Sequence, residues 1–311
     1  MVKYVIYGKI IIDDIRTSDG RLVQDVLGGG GPQGAFGARL WSDSVGLLSR
    51  SGMDISVAHT ETIERLGIDV SGWAKYPDIL TPHTGMAYDE KGERSGYIVA
   101  PDRAVGSENW ARLLSKPLKL PSAYQNPAVI HLISESPTDP IIKTALDLQT
   151  HGTIFSLEPI MDYRRWSNRD DFLDLFKQVD VITPDWLSAS GLAGSDDLGR
   201  VLKFWSNLGP ALVAIRHGQF GSYTWDQQHD QFWHIPVLPV KVVDPTGAGN
   251  AYGGGLCVGW HETGDAHMAG CYGTVSASFI VRQFGLPKMS ADLQLEAQAL
   301  LQQVLAAAEV F

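Results

Sequence analysis

The sequence predicts an α/β fold: a parallel sheet with helices on both of its faces. Short, unalternated, β-rich apolar runs recur along the chain, as strands buried on both faces require. Longer amphipathic stretches separate them, which is the pattern of strand–helix–strand units. The first run is Tyr4-Val5-Ile6-Tyr7-Gly8, and the others are AVIHLI at 128–133, TIFSL at 153–157, DVIT at 180–183 and ALVAIR at 211–216. Helix-like segments lie near 34–42, 56–66, 138–150, 168–178, 186–206 and 248–262. After Pro287, Ser290 is an N-cap for a last helix through LQLEAQALLQQVLAAAE.

Two stretches depart from this alternation. Residues 9–27 carry IIIDDI, a Ser18-Asp19-Gly20 turn and RLVQDVL; residues 84–100 carry TGMAYDE, a Lys91-Gly92 turn and RSGYIVA. Both alternate in polarity and read as hairpins. They are expected to stand beside the main sheet as a small lid, or as two surface hairpins without function. No repeat, low-complexity linker or composition shift divides the chain, so residues 1–311 are expected to form a single domain with these segments inserted in it.

Composition narrows the function. Of 311 residues, 44% are hydrophobic and 19% charged, which describes a globular chain. Lys plus Arg is 25 against 35 Asp plus Glu, a net charge of −10. Nucleic acid and membrane surfaces call for a basic face and are not the expected partners. No apolar run approaches the ~18 residues of a membrane span. The N-terminal stretch reads as a strand, with Lys9 inside it, and not as a signal peptide. Cys257 and Cys271 are the two cysteines, too few for a disulfide scaffold or a cysteine zinc site, so a cytoplasmic protein is expected.

Two glycine clusters carry the chemistry. The first, Gly28-Gly29-Gly30-Gly31-Pro32-Gln33-Gly34, contains GxGxxG at Gly29, Gly31 and Gly34. A dinucleotide site places that motif directly after the first strand, whereas here the strand ends near Gly8. A loop letting backbone approach a small polyol fits better than a flexible turn, because four ordered glycines are entropically costly. The second cluster is Asp244-Pro245-Thr246-Gly247-Ala248-Gly249-Asn250-Ala251-Tyr252-Gly253-Gly254-Gly255. A strand is expected to end at Val243, and the small residues then open a helix. Free N–H groups at such a helix start make an anion site. The three later glycines cost ~1 kcal/mol each inside a helix, so tight packing or a ligand requires their smallness.

VVDPTGAGNAYGGG resembles the signature of the ribokinase/pfkB carbohydrate kinases, D-T-x-G-A-G-D. Gly8 to Asp13 is similar to the family's opening strand, whose Asp binds substrate hydroxyls. GGGGPQGAFGARL resembles its glycine pair, substrate Asn and following helix. Gly52-Met53-Asp54 and Leu66-Gly67-Ile68-Asp69 match two further landmarks, Arg216-His217-Gly218-Gln219-Phe220-Gly221 the T-x-G-x-x-G turn, and SASFIVRQFG at 276–285 the helix beside the adenine. The order holds over essentially the whole chain. The resemblance implies a Rossmann-like three-layer α/β/α sandwich with a β lid. It also implies transfer of the ATP γ-phosphoryl to a hydroxyl of a sugar, nucleoside or inositol, with Mg²⁺ and in some members a monovalent cation. Asp13, Gly29, Gly30, Gly31 and Gln33 then fall to the substrate. Gly247, Ala248, Gly249 and Asn250 fall to the catalytic turn. Asp185, Arg216, Gly218, Gly221, Thr246 and Thr274 fall to the cofactor, with Asp185 serving a metal through water. Lid strands pair between subunits in some members, so a homodimer is open.

The sequence also departs from that pattern. Asn250 stands where the family has its general base, and an amide takes up no proton near pH 7. The N-x-x-E that organises water around Mg²⁺ aligns with Asp185-Trp186-Leu187-Ser188, so the Glu is lost. D-P-N-x-R aligns with Glu158-Pro159-Ile160-Met161-Asp162, and Arg216 replaces a Thr. Phosphoryl transfer depends mainly on positioning and charge stabilisation, so a slow kinase is expected. The alternative is a repurposed member that binds nucleotide or sugar without efficient transfer. VDPTG, the four glycines before GARL and the ASF segment also resemble a side branch of the family with fungal members.

Overall fold

The computed structural model describes residues 1–89, 94–96, 107–160 and 169–311. Among these, the main sheet has ten strands. They are β1 (Tyr4–Tyr7), β4 (Val45–Gly52), β5 (Asp69–Tyr76), β8 (Val129–Ser134), β9 (Ile154–Pro159), β10 (Val181–Ile182), β11 (Leu212–Arg216), β12 (Ser222–Asp226), β13 (Gln231–Ile235) and β14 (Glu309–Val310). A second sheet holds β2 (Ile11–Arg16), β3 (Leu22–Gly28), β6 (His83–Tyr88) and β7 (Arg94–Gly96). The helices are α1 (Gly31–Arg39), α2 (Val57–Glu64), α3 (Ser107–Ser115), α4 (Pro140–Gln149), α5 (Arg169–Phe176), α6 (Trp186–Ala193), α7 (Leu198–Ser206), α8 (Ala248–Thr263), α9 (Ala266–Ile280) and α10 (Ala291–Ala307).

The main sheet runs β14-β13-β12-β11-β10-β9-β8-β1-β4-β5. It is parallel from β11 to β5 and antiparallel from β11 to β14. β1 is the switch point: Tyr4 lies opposite Val129 on one side and Val45 on the other. Open α/β sheets bind ligands outside the carboxyl ends of the strands at such a point. Strand residues alternate between two cores. Tyr4 and Ile6 pack in a core with α1, α8, α9 and α10, while Val5 and Tyr7 pack in a core with α4, α5, α6 and α7. This is the three-layer sandwich expected.

The two hairpin expectations converge on one feature. β2 and β3 pair antiparallel, and β6 pairs in parallel with β2, setting Asp13 opposite Thr84. The Lys91-Gly92 turn and residues 97–100 lie outside the described residues. Two expectations differ from the structure. The segment 186–206 is two helices, because Gly194 takes a left-handed conformation that ends α6 and Asp197 caps α7 through the Arg200 N–H. No strand ends at Val243; the Val243 and Asp244 N–H groups both donate to the Val281 carbonyl, which moors the segment to the end of α9.

Candidate active site

Elements from both sheets meet at the start of α8. The helix opens at Gly247, in a left-handed conformation and without a side-chain cap. The first-turn N–H groups of such a helix have no helical partners and favour an anion. The Ala248 N–H is claimed by the Pro245 carbonyl. Buried Asp244 holds the approach to the turn, accepting from the Thr246 N–H at 3.0 Å and the Thr246 hydroxyl at 2.6 Å. The turn therefore has a fixed shape before any ligand arrives.

The glycine loop forms the floor between Asp13 and Asn250. A Cβ at Gly28 would meet Asp13 Oδ2 at 1.8 Å, and one at Gly30 would meet the Asn250 amide at 3.1 Å. Gly29 and Gly30 take positive φ, of 98° and 87°. The loop also lies against the chain's own backbone: a Cβ at Gly29 would sit 2.5 Å from the Lys9 carbonyl oxygen. Gln33 braces this loop. Its Nε2 donates to the Leu27 carbonyl at 2.9 Å, and its Oε1 accepts from the Gly30 N–H at 3.2 Å. Both ends of the amide are thus engaged within the chain, and its stem packs under Gly247.

Asp13 is fully buried, and Oδ1 accepts from the Thr84 hydroxyl at 2.6 Å. Oδ2 has no hydrogen-bond partner among the described residues. Burial pushes its pKa up to about 6, against the opposing pull of Thr84 and His83. A buried carboxylate with one free oxygen suits a ligand hydroxyl.

Behind Asn250 lies a buried polar cluster that the sequence did not single out. Asn250 Nδ2 donates to Glu158 Oε1 at 2.8 Å. Arg216 Nη1 pairs with the same oxygen at 2.9 Å, and Arg216 Nη2 donates to the Thr183 carbonyl at 2.9 Å. His131 Nε2 stands 3.6 Å from Glu158 Oε2. Its Nδ1 meets Ser156 Oγ at 2.8 Å, and the Cys257 thiol donates to that hydroxyl at 3.2 Å. Burial opposes ionisation of Glu158, but Arg216 and His131 outweigh it and hold its carboxyl below the usual range. Burial also opposes charge on His131, yet Cys257 and Glu158 push its pKa up to about 9. In the sequence Glu158 is marked by its aligned place in the family segment, and His131 lies inside the apolar run at 128–133.

This cluster and the neighbouring helices explain the later glycines. A Cβ at Gly249 would lie 1.9 Å from Arg216 Nη1, and one at Gly253 would lie 2.7 Å from His131 Nε2. Gly254 packs on the Gly34 carbonyl of α1 and Gly255 on Ser276 of α9. The remaining residues are placed as follows. Asp185 caps α6, accepting from the Ser188 N–H at 2.7 Å, and its backbone bridges to Arg216. Gly218 and Gly221 bound the short turn after β11, both with positive φ. Thr274 is buried on α9, and no hydrogen bond among the described residues joins it to the turn. No group of three or more His, Cys, Asp or Glu that could hold a metal occurs among the described residues.

A doubly wound sheet, a second four-stranded sheet and a glycine-opened helix without a side-chain cap together make up the arrangement in which these residues meet. The chain belongs to the pfkB family of carbohydrate kinases, which it matches over residues 1–291. It is similar to the cytidine kinase of Thermococcus kodakarensis, at 26% identity over 261 residues, covering 84% of this chain and 89% of that protein. It is also similar to Protein MAK32 of Saccharomyces cerevisiae, at 26% identity over 314 residues, covering 90% and 85%. In fold it resembles a putative ribokinase II from E. coli solved with ATP and Mg²⁺, with a TM-score of 0.74, 19% identity and coverage of 97% and 100%. Among the described residues no helix is long and apolar enough to cross a membrane.

Proposed function

We propose that the chain is an ATP-dependent phosphotransferase acting on a hydroxyl of a small polyol: a sugar, a nucleoside or an inositol. The observation that carries this is the placing of the uncapped α8 turn and a buried, half-engaged Asp13 on opposite ends of one glycine loop. The first accepts an anion and the second a hydroxyl. The fit to a nucleotide phosphate rests on the N–H groups of Gly247 and Gly249 at the helix start and on the Arg216 guanidinium, whose Nε is buried without a partner among the described residues. Magnesium ATP supplies the phosphoryl group and metal charge compensation when bound.

The chain's own residues then divide the work. Asp13 accepts from hydroxyls of the acceptor and fixes its orientation. The turn from Gly247 to Asn250 presents N–H groups to negative charge, and Arg216 adds a fixed positive charge beside Gly249. Gly218 and Gly221 shape the nucleotide side, with Thr246 at the turn and Thr274 on the neighbouring helix. Asp185 offers its second carboxylate oxygen to metal-bound water. Asn250 accepts a hydrogen bond from the reacting hydroxyl but takes no proton from it, so that proton passes to an oxygen of the transferred phosphoryl group and from there to water. Losing a general base costs about 10²–10⁴-fold. That leaves a slow kinase, since positioning carries most of this reaction.

The amide at Asn250 also favours a second reading, binding of nucleotide or polyol without efficient transfer. Acceptor-dependent ADP release separates the two. The chain would be incubated with Mg-ATP and, in turn, ribose, fructose, cytidine, adenosine and myo-inositol. ADP release above the acceptor-free rate supports the kinase. ATP binding by calorimetry with no such release supports the binding protein.

A further inference from the structure

The carboxylate absent from position 250 has a buried counterpart 2.8 Å away. We propose that Glu158 is a positioning residue for Asn250: it holds the amide with Nδ2 turned inward and Oδ1 turned toward the acceptor hydroxyl. It thereby makes an amide, not a carboxylate, the residue this site requires. The inference rests on the kinase reading above and deepens it.

Polarity sets the orientation. An ionised Glu158 only accepts, so the Asn250 edge facing it is the NH₂ edge. Oδ1 then occupies the opposite edge of a half-buried residue, while Nδ2 lies near the glycine loop, 3.1 Å from where a Cβ on Gly30 would stand. Charge sets the choice of residue. Glu158 Oε1 already takes the Arg216 guanidinium, and His131 faces Oε2. A carboxylate at 250 would stand against Oε1 at the distance the amide now occupies, and two buried carboxylates that close cannot both ionise. Space sets the network apart from chance contact. Gly249 and Gly253, one residue before and three after Asn250 on α8, leave room for Arg216 and His131 respectively. The charged groups facing the pair are thus Arg216 from β11 and His131 from β8, with Cys257 of α8 behind Ser156.

The test compares the full chain with Asn250→Asp, Glu158→Gln and the double variant. Two readouts are taken: Tm as a function of pH, and kcat and KM for ATP with whichever acceptor is turned over. In Asn250→Asp the paired carboxyls hold a proton in the folded state. Its Tm deficit therefore grows as pH rises from about 5 to about 8. In the double variant one carboxylate remains, and the deficit stays flat over that range. Asn250→Asp is expected to lower kcat about tenfold or more with KM for ATP changed less than about twofold. Glu158→Gln, whose amide can turn either edge toward Asn250 and so no longer fixes its direction, lowers kcat about threefold or more with KM for ATP changed less than about twofold. Adding Glu158→Gln to Asn250→Asp restores part of the lost kcat. A rise in kcat for Asn250→Asp, or a pH-independent Tm deficit, overturns the proposal. If no acceptor is turned over, the kinase reading fails, and the melting curves still decide the charge relation.

Discussion

The hydroxyl of Tyr88, on β6 of the second sheet, lies 2.9 Å from Thr246 Oγ1, just before α8 begins. Thr246 in turn donates to buried Asp244. One chain of hydrogen bonds therefore links the second sheet to the helix start.

Tyr88→Phe should loosen the second sheet from the α8 turn without unfolding the protein. A lost neutral hydrogen bond costs about 0.5–1.5 kcal/mol, or a few degrees at most in Tm for a chain of this size. If the second sheet closes over the proposed acceptor site, KM for the acceptor should rise a few-fold. Steady-state kinetics checks this; an unchanged KM separates the contact from substrate binding.

Arg216→Met should be among the most damaging single changes away from the apolar core. It leaves Glu158 buried with its nearest cation gone, and breaking such a pair costs roughly 3–5 kcal/mol. Urea denaturation measures it. Removing the carboxylate as well, in Glu158→Leu with Arg216→Met, should recover part of the loss. A double variant no more stable than Arg216→Met alone would show that the charge pair is not the source.

Much of this architecture is legible in the sequence, and the exceptions have physical causes. The strands at 4–7, 129–134 and 154–159 stand out because both faces are covered, so the runs are apolar throughout. The strands at 45–52 and 69–76 are harder to read. VGLLSRSG buries Ser49, Arg50 and Ser51 through specific partners, and DVSGWAKY is a half-covered edge. α9 is buried around most of its circumference by small residues, which removes the polar face that marks a helix. At the site, Asp13, the glycine loop and the α8 turn are visible because each is a local motif. Glu158 and His131 are not, because their roles arise only where β8 and β9 meet α8, with Glu158 separated from Asn250 by 92 residues.

Gly249→Val should abolish tight nucleotide binding. Its Cβ would collide with Arg216 Nη1, which Glu158 and Thr183 hold in place, and its branches would fill the turn. Calorimetry with Mg-ATP should show affinity falling at least about tenfold, or ~1.4 kcal/mol. Unchanged affinity would place the phosphates elsewhere.

Asp13 should make stability depend on pH. Its folded pKa of about 6 lies above the ordinary carboxylate value, so the folded state binds the proton more tightly. Its contribution is favourable at low pH and is lost as pH rises through about 6. Asp13→Asn should therefore stabilise the fold by roughly 1–3 kcal/mol at pH 7.5, with the gain vanishing below about pH 4. The same variant should weaken the acceptor more than ATP. A pH-independent change in Tm, or equal losses for both ligands, would contradict this account of Asp13.

The central claim, phosphoryl transfer to a small polyol, is tested most directly by the mass of the product. The native chain would be incubated with Mg-ATP carrying ¹⁸O in the γ-phosphoryl group and the acceptor panel. A sugar, nucleoside or inositol phosphate bearing the label is the predicted result, and it would name the acceptor. ATP bound at the α8 turn with every acceptor recovered unmodified would contradict the claim.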